Sequence, residues 1–212
     1  MTKTVLLYGD SILWGVNATT GQRHDRANRV DTIVQQMLGD TVEVVGEGFR
    51  GRTMFGENGF FPERDGLAQF GPIFASHLPI DVVVIMLGTN DLNSKALHPA
   101  NEIAESIPKY VEKMQYWCDF MGFSLPSLLI VSPPDVDQQS IKKFSEVFAG
   151  TVDRIAPAVD ALQQVAQRDG HAFLDSRQIA RSINTDGIHL DAAETKKLAD
   201  AITAQVVALL AD

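Results

Sequence analysis

The chain has 212 residues, of which 45% are hydrophobic and 21% charged, and these values favour one folded globular domain spanning residues 1–212. Its 27 Asp and Glu residues outnumber its 18 Lys and Arg residues. The resulting net charge of −9 disfavours binding to nucleic acid or to an anionic membrane surface. Cys118 is the only cysteine, which excludes an internal disulfide, and its apolar helical surroundings predict a buried core position.

The N-terminal segment has only four consecutive apolar residues, at positions 5–8, before Gly9 and Asp10. A secretion signal needs an apolar stretch of roughly 7–15 residues, and a membrane-spanning helix needs about 20. We therefore expect a cytoplasmic protein that does not insert into a membrane.

Short apolar strands alternate with longer segments of helical periodicity along the chain. Strands are predicted at residues 5–8, 41–45, 82–87, 128–131 and 172–174, and helices near 28–38, 100–121, 151–168 and 192–210. Strands that alternate with helices form parallel sheets through right-handed crossovers. The order of elements therefore predicts a doubly wound α/β sandwich around a five-stranded parallel sheet.

The last predicted helix has the clearest boundaries. We expect Asp191 to cap its N-terminus, with Glu194 at the third helical position, as in a capping box. Pro108 and Pro157 fall within two other helical patterns, so those helices are expected to start late or to kink.

Two segments, residues 46–80 and 133–150, lack regular periodicity and hold several glycines, prolines and aromatic residues. Long loops of this kind are usually functional. Their aromatic side chains could line an acyl pocket, lie at a subunit interface, or simply pack within their own domain. Residues 46–51 fit the dinucleotide-binding pattern G-x-G-x-x-G, but no helical pattern follows them, so we interpret the match as accidental.

Polar residues follow the predicted strands at their carboxyl ends, the edge where open parallel sheets bind ligands. Ser11 follows the first strand, Gly51 the second and Asn90 the third. Asp186 and His189 lie in the loop before the last helix. A serine hydroxyl becomes a good nucleophile when a histidine accepts its proton and a carboxylate orients that histidine. The pattern predicts Ser11 as nucleophile, His189 as base and Asp186 as the orienting residue.

Acyl transfer also needs hydrogen-bond donors around the oxyanion that develops on the substrate. We predict that the backbone N–H groups of Ser11 and Gly51 and the side-chain amide of Asn90 supply them. A glycine at position 51 permits a positive φ and a close approach of the backbone to substrate. Asp10 and Trp14 beside the nucleophile are further candidates for substrate binding, although core packing explains Trp14 equally well.

Four short motifs resemble, in order, the sequence blocks of the SGNH hydrolases, also called the GDSL esterase/lipase family. They are Gly9-Asp10-Ser11, Gly51 in Arg50-Gly51-Arg52-Thr53, Gly88-Thr89-Asn90-Asp91, and Asp186-Gly187-Ile188-His189. The resemblance covers essentially the whole chain. It implies a flavodoxin-like, three-layer α/β/α fold, hydrolysis through an acyl-enzyme, and no cofactor or metal.

Residues 9–15, 77–91 and 131–134 are similar to the arylesterase/acyltransferase subgroup known from mycobacteria. That similarity implies small acyl esters as substrates, acyl transfer to alcohols or peroxide as well as to water, and a homo-oligomer. Val16 stands where the acyltransferase pattern has a second tryptophan, which favours hydrolysis over transfer. Carbohydrate O-acetyl esters and short-chain thioesters stay open as alternative substrates.

Two other classes of function compete with an esterase. A metal-dependent phosphoesterase would use Asp10, Asn90, Asp91 and His189 as ligands. The remaining histidines, however, are scattered and form no H-x-H or H-E-x-x-H pairing. A non-catalytic ligand-binding module would be expected to lack part of the catalytic set, and this sequence contains all of it. The sequence therefore favours a serine esterase.

Overall fold

A sheet of five parallel strands forms the centre of the computed structural model, which describes residues 2–137, 139–144, 146–182 and 186–211. Residues 138 and 145 of the predicted 133–150 loop lie outside this description. The strands are β1 (Lys3–Gly9), β2 (Val42–Gly48), β3 (Val82–Met86), β4 (Ser127–Val131) and β5 (Ala172–Leu174). Their order is β2-β1-β3-β4-β5, which is the flavodoxin-like order. All five predicted strands are confirmed.

The helices are α1 (Ser11–Trp14), α2 (Val30–Leu38), α3 (Gly66–Ser76), α4 (Ala100–Ala104), α5 (Ser106–Met121), α6 (Val152–Asp169) and α7 (Ala192–Ala211). Short 3₁₀ turns lie at Arg26–Asn28, Asn90–Leu92, Ile141–Phe144 and Ser176–Gln178.

Side chains along each strand point alternately to the two faces of the sheet, so the apolar residues form two cores, one on each face. In β3, Val83 and Ile85 contact the core that α3 to α6 cover. Val82, Val84 and Met86 contact the core that α1, α2 and α7 cover. Every residue of β3 is buried, as expected for a parallel strand with helices on both faces. The structure is therefore the predicted three-layer α/β/α sandwich.

The two predicted helices that contain a proline have different outcomes. The pattern at residues 100–121 is divided at Glu105 into α4 and α5, so the helix with Pro108 starts late, and Pro108 lies in its first turn, where a missing N–H is tolerated. The helix with Pro157 does not start late, because α6 already begins at Val152, and a kink at Pro157 stays a prediction.

The prediction of irregular structure throughout residues 46–80 is wrong at α3. This helix contains Gly66, Gly71 and Pro72, which are poor helix formers and hide the helical pattern. Asp65 begins it by accepting a hydrogen bond from the Ala68 N–H at 3.0 Å. Tertiary packing also stabilises it, since Phe70 is fully buried within the core.

Two other local predictions are confirmed, and a third, the capping box at α7, is not. Cys118 is buried, and Asp191 caps α7 by accepting a hydrogen bond from the Glu194 N–H at 2.9 Å. The Glu194 carboxylate does not complete a capping box, because it accepts a hydrogen bond from the Arg181 N–H at 2.9 Å. Among the described helices, none is long and apolar enough to cross a membrane.

Candidate active site

Ser11 lies at the sharp turn between β1 and α1, at the carboxyl edge of the sheet. Asp10 caps α1, and its carboxylate accepts a hydrogen bond from the Ile12 N–H at 2.9 Å. Gly15 ends this single helical turn with a φ of 88°, which a glycine adopts at little cost. The short helix presents the Ser11 side chain at the wall of a cavity.

The loop between β5 and α7 brings His189 and Asp186 to this serine. His189 Nε2 lies 2.9 Å from Ser11 Oγ, and His189 Nδ1 lies 2.7 Å from Asp186 Oδ2. The second carboxylate oxygen, Asp186 Oδ1, accepts the backbone N–H groups of Ile188 at 3.0 Å and His189 at 2.8 Å. The carboxylate is thus fixed by the backbone on one side and orients the imidazole on the other.

The same contacts determine the charge of Asp186. Burial by itself raises the pKa of this carboxyl, but the hydrogen bonds and positive charge of His189 and the two backbone N–H groups outweigh it. The pKa of Asp186 therefore lies below its usual value. An ionised Asp186 favours the tautomer with the proton of His189 on Nδ1, in which Nε2 can accept the proton of Ser11.

The predicted oxyanion donors lie beside this serine and histidine. Gly51 and Asn90 line the same cavity as Ser11. Gly51 has a φ of 79°, and its carbonyl accepts a hydrogen bond from Asn58 Nδ2 at 2.8 Å, which fixes the turn. Within the described part of the chain, no hydrogen bond engages the N–H of Ser11 or of Gly51. Both N–H groups can therefore serve a substrate oxygen.

The side chain of Asn90 is held by two acceptors. Its Nδ2 lies 3.1 Å from the Arg52 carbonyl oxygen and 3.3 Å from Asp10 Oδ2. The bond to Asp10 is long and therefore weak. An incoming oxyanion can therefore compete with Asp10 for this donor.

Asp10 and Trp14, the two further candidates for substrate binding, are not among the residues that line the cavity. Asp10 is 2% exposed, and its two oxygens already accept hydrogen bonds from Ile12 and Asn90. Trp14 does not line the cavity. The guanidinium groups of Arg23 and Arg50 lie over its ring, at 4.8 and 5.3 Å from the ring centroid. Substrate binding by either residue therefore stays a prediction.

Burial changes the titration of Asp10. Desolvation raises the pKa of this carboxyl to about 6, against the opposing effects of the Ile12 N–H and the nearby His189 and Arg52. Burial also raises the pKa of Asp91, the last residue of the Gly88-Thr89-Asn90-Asp91 motif.

The cavity has a volume of about 340 Å³ and two chemically different halves. Apolar side chains form one wall, next to His189; they are Phe144, Val147, Phe148 and Ile188. The ring of Phe144 meets the imidazole of His189 edge-on, with centroids 6.1 Å apart. The other wall carries Arg50, Asn58, Phe61 and Arg64. All three of these aromatic residues, Phe61, Phe144 and Phe148, come from the two segments whose aromatic side chains were candidates for a pocket, a subunit interface or packing within the domain.

Several supporting residues were not predicted from the sequence. Asn58 is one, and Arg52 is another: it is 3% exposed and donates a hydrogen bond from Nη1 to the Gly9 carbonyl at 2.9 Å. Asp91 accepts the Met54 N–H at 2.7 Å and pairs with His98 Nδ1 at 3.1 Å. The long loop after β2 is thereby tied to the Asn90 motif. These contacts join distant segments, and no local pattern in the sequence indicates them.

Among the described residues, no group of three or more His, Cys, Asp or Glu side chains is gathered closely enough to hold a metal ion.

The fold and the geometry of this site are those of an α/β carboxylic ester hydrolase. The chain belongs to the GDSL-like Lipase/Acylhydrolase family, whose model matches residues 7–194. No curated protein sequence gives a significant match.

Solved structures support this classification. A carbohydrate acetylesterase family member from Sinorhizobium meliloti is 30% identical, with a TM-score of 0.90 and complete coverage of both chains. Another carbohydrate acetylesterase from the same organism is 28% identical, with a TM-score of 0.92, and covers 98% of this chain and 100% of its own. The aryl esterase of M. smegmatis is 28% identical, with a TM-score of 0.91 and the same coverage.

Proposed function

We propose that this protein hydrolyses small acyl esters, acetyl esters above all, through an acyl-enzyme formed on Ser11. The observation that carries the proposal is the continuous hydrogen-bonded chain from Ser11 Oγ through His189 to Asp186 at the wall of a cavity. A serine, a histidine and a carboxylate joined in this order activate the hydroxyl as a nucleophile.

The reaction proceeds in two half-reactions. Ser11 Oγ attacks the ester carbonyl carbon while His189 Nε2 takes the hydroxyl proton, and Asp186 stabilises the resulting imidazolium. The carbonyl oxygen becomes an oxyanion held by the N–H groups of Ser11 and Gly51 and by Asn90 Nδ2. When the tetrahedral intermediate collapses, the bond to the alcohol breaks, and His189 gives its proton to the departing oxygen.

Water completes the cycle. It gives one proton to His189 as its oxygen attacks the acyl carbon, and a second tetrahedral intermediate forms in the same oxyanion hole. Collapse of this intermediate breaks the bond to Ser11 Oγ, which regains the proton from His189. The products are the free alcohol and the carboxylic acid.

The size of the cavity supports small substrates. Its volume of about 340 Å³ lies near the lower end of the range for small-molecule sites. Phe144, Val147 and Phe148 line the apolar wall, and in this proposal their bulk limits the room for a long acyl chain. Acetyl esters are therefore the preferred substrates in this proposal.

The alcohol part of the ester defines a second candidate function. The similar structures include an aryl esterase and carbohydrate acetylesterases, and both of these names fit the same catalytic chemistry. The polar wall formed by Arg50, Asn58 and Arg64 offers donors for a hydroxylated alcohol, which favours carbohydrate O-acetyl esters as the second candidate. Short-chain thioesters, and acyl transfer to alcohols or peroxide, are weaker candidates because no contact favours them.

We further propose a cytoplasmic homo-oligomer. The end of α5 and the segment after it expose a group of large apolar side chains: Tyr116, Phe120, Met121, Phe123 and Leu125. Phe120 is 72% exposed, and apolar groups of this kind commonly mark protein interfaces. Light scattering of the purified protein after size exclusion tests this part of the proposal, and a monomeric mass would contradict it.

The test of the catalytic proposal compares p-nitrophenyl acetate, butyrate and octanoate with wild type and Ser11→Ala. We expect kcat/KM to fall with chain length in the wild type and turnover to disappear in the variant. Circular dichroism of both proteins shows whether the fold is intact. Equal rates for wild type and a folded Ser11→Ala variant would overturn the proposal.

A further inference from the structure

The charge of the cavity is opposite to that of the whole protein. The chain carries a net charge of −9, yet among the described residues that line the cavity, the ionic side chains besides His189 are two arginines, Arg50 and Arg64. No carboxylate is among the described lining residues. A positively charged cleft in an acidic protein is an electrostatic feature that favours anionic ligands.

Arg64 is held rigidly. Its Nε donates a hydrogen bond to the Arg50 carbonyl at 2.7 Å, and its Nη1 donates one to the Pro62 carbonyl at 2.8 Å. Its guanidinium lies 4.0 Å from the ring centroid of Phe49 and 5.8 Å from that of Phe61. All these partners are neutral, so they fix the guanidinium without cancelling its charge.

The charge of Arg50 is accessible to a ligand because the side chain is exposed. Its guanidinium lies over the ring of Trp14. Within the described residues, no carboxylate pairs with Arg50 or Arg64. A guanidinium without a carboxylate partner can bind one from a ligand through two parallel hydrogen bonds.

This charge lies next to the oxyanion site. A Cβ atom built on Gly51 would be 3.5 Å from Arg64 Nε, so the arginine stem covers the turn that presents the Gly51 N–H. Other charged groups nearby face elsewhere. Glu57 and Glu63 are exposed on the same loop and do not line the cavity. Asp186 makes its hydrogen bonds to His189 and the adjacent backbone.

We infer that the preferred substrates are esters that carry a carboxylate or another anionic group, which Arg50 and Arg64 bind. This inference rests on the proposed esterase function and adds the chemical class of substrate. The anion can belong to the alcohol or to the acyl part of the ester, and the two are distinguished by experiment.

The test compares two matched pairs of substrates. In the first pair the charge is on the alcohol: 4-acetoxybenzoate and its neutral methyl ester. In the second it is on the acyl group: mono-(4-nitrophenyl) adipate and its neutral methyl ester. For each protein, kcat/KM of the anionic ester is divided by that of the neutral ester, and this ratio is compared between variants. Intrinsic differences in ester reactivity thereby cancel.

We expect the ratio for at least one pair to fall about fivefold in Arg50→Gln and further in Arg50→Glu. Raising the salt concentration from about 0.02 M to about 0.5 M should lower the wild-type ratio, because salt screens exposed charges. Lys3→Gln is the matched control. It also removes one positive charge, but at the start of β1, roughly 20 Å along the strand from the Ser11 edge, and its ratios should match the wild type.

Arg64→Lys separates charge from loop geometry, because lysine keeps the charge but cannot reproduce the two hydrogen bonds to the backbone. If Arg64 only clamps the loop, Arg64→Lys and Arg64→Gln lose activity on the anionic and neutral esters in equal proportion, whereas binding of the anion by Arg64 lowers the anionic-to-neutral ratio more in Arg64→Gln than in Arg64→Lys. The inference is overturned if neither Arg50 variant changes the anionic-to-neutral ratio of kcat/KM for any pair of esters that the enzyme hydrolyses. In that event, the proposed esterase function is retained if the wild type hydrolyses the neutral esters and Ser11→Ala does not.

Discussion

His189 Nε2 lies 2.9 Å from Ser11 Oγ, although the two residues are 178 positions apart in the chain. They meet because β1 ends at Gly9 and the loop after β5 returns to the same edge of the parallel sheet. The proposed catalysis therefore depends on the register and order of the strands as well as on the two side chains. Three substitutions around this contact test the roles proposed for the site, and a fourth tests its electrostatics.

Asp186→Asn is expected to lower kcat by about 10⁴-fold, the effect of imposing the wrong histidine tautomer. The backbone N–H groups of Ile188 and His189 should keep the amide oxygen where Oδ1 now lies, which turns the amide NH₂ toward His189 Nδ1. Nδ1 then has to accept a hydrogen bond, so Nε2 carries the proton and cannot act as a base. Steady-state kinetics with p-nitrophenyl acetate measure the loss. A kcat within tenfold of the wild type would contradict the role of Asp186.

Asn90→Ala is expected to lower kcat by about 10²–10³-fold with a smaller change in KM, because the lost donor acts mainly on the oxyanion of the transition state. Asn101→Ala on α4 is the matched control, since that residue is exposed and away from the cavity. A loss confined to KM would show that Asn90 binds the ground state instead.

Gly51→Ala is expected to lower both stability and kcat. An alanine at a φ of 79° is strained by about 1–2 kcal/mol, and its Cβ would lie 3.3 Å from the Phe61 ring. Relaxation of that strain should move the Gly51 N–H away from the oxyanion. Gly170→Ala is a matched control, because Gly170 at the end of α6 has a φ of 74° in the left-handed region with nothing within 4 Å of its added Cβ. Both variants should lose a similar amount of stability in thermal unfolding. Only Gly51→Ala should lose kcat, and equal activity of the two would contradict the role of this N–H.

Asp10→Asn tests the buried carboxyl through the pH dependence of stability. The pKa of Asp10 is raised to about 6 in the folded protein, so the folded state holds this proton more tightly than the unfolded chain does. The contribution of Asp10 is fully present below about pH 4 and is lost as the pH rises through about 6, a change of about 3 kcal/mol. The stability of Asp10→Asn relative to wild type should therefore rise between pH 4 and 7. Urea unfolding at several pH values measures it, and a constant difference would contradict the raised pKa.

Much of the fold could be predicted from the sequence because its signals are local. The continuous apolar run of β3 and the Asp191 cap of α7 are both readable from neighbouring residues, and the structure has them as predicted. The helix α3 could not be predicted, because Gly66, Gly71 and Pro72 remove its helical signal and burial of Phe70 replaces it. That contribution is tertiary, and it depends on segments far away in the chain.

The site shows the same division between local and distant contacts. Short motifs identify Ser11 and His189 because the chemistry requires particular residue types at strand ends. The contacts that hold the motifs in place join different segments, such as Asn58 to Gly51 and Asp91 to His98, and periodicity carries no information about them. Asp10 was predicted to bind substrate because it adjoins the nucleophile, whereas its side chain turns inward to the backbone and Asn90.

The most direct test of the account is to trap the acyl-enzyme. Wild type and Ser11→Ala are mixed with p-nitrophenyl acetate, quenched in acid within the first turnover, digested, and mapped by mass spectrometry. The account predicts an acetyl group on the peptide that contains Ser11 in the wild type, and none at that peptide in the variant. A rapid burst of p-nitrophenol with the acetyl group on another residue, or an equal burst from Ser11→Ala, would contradict it.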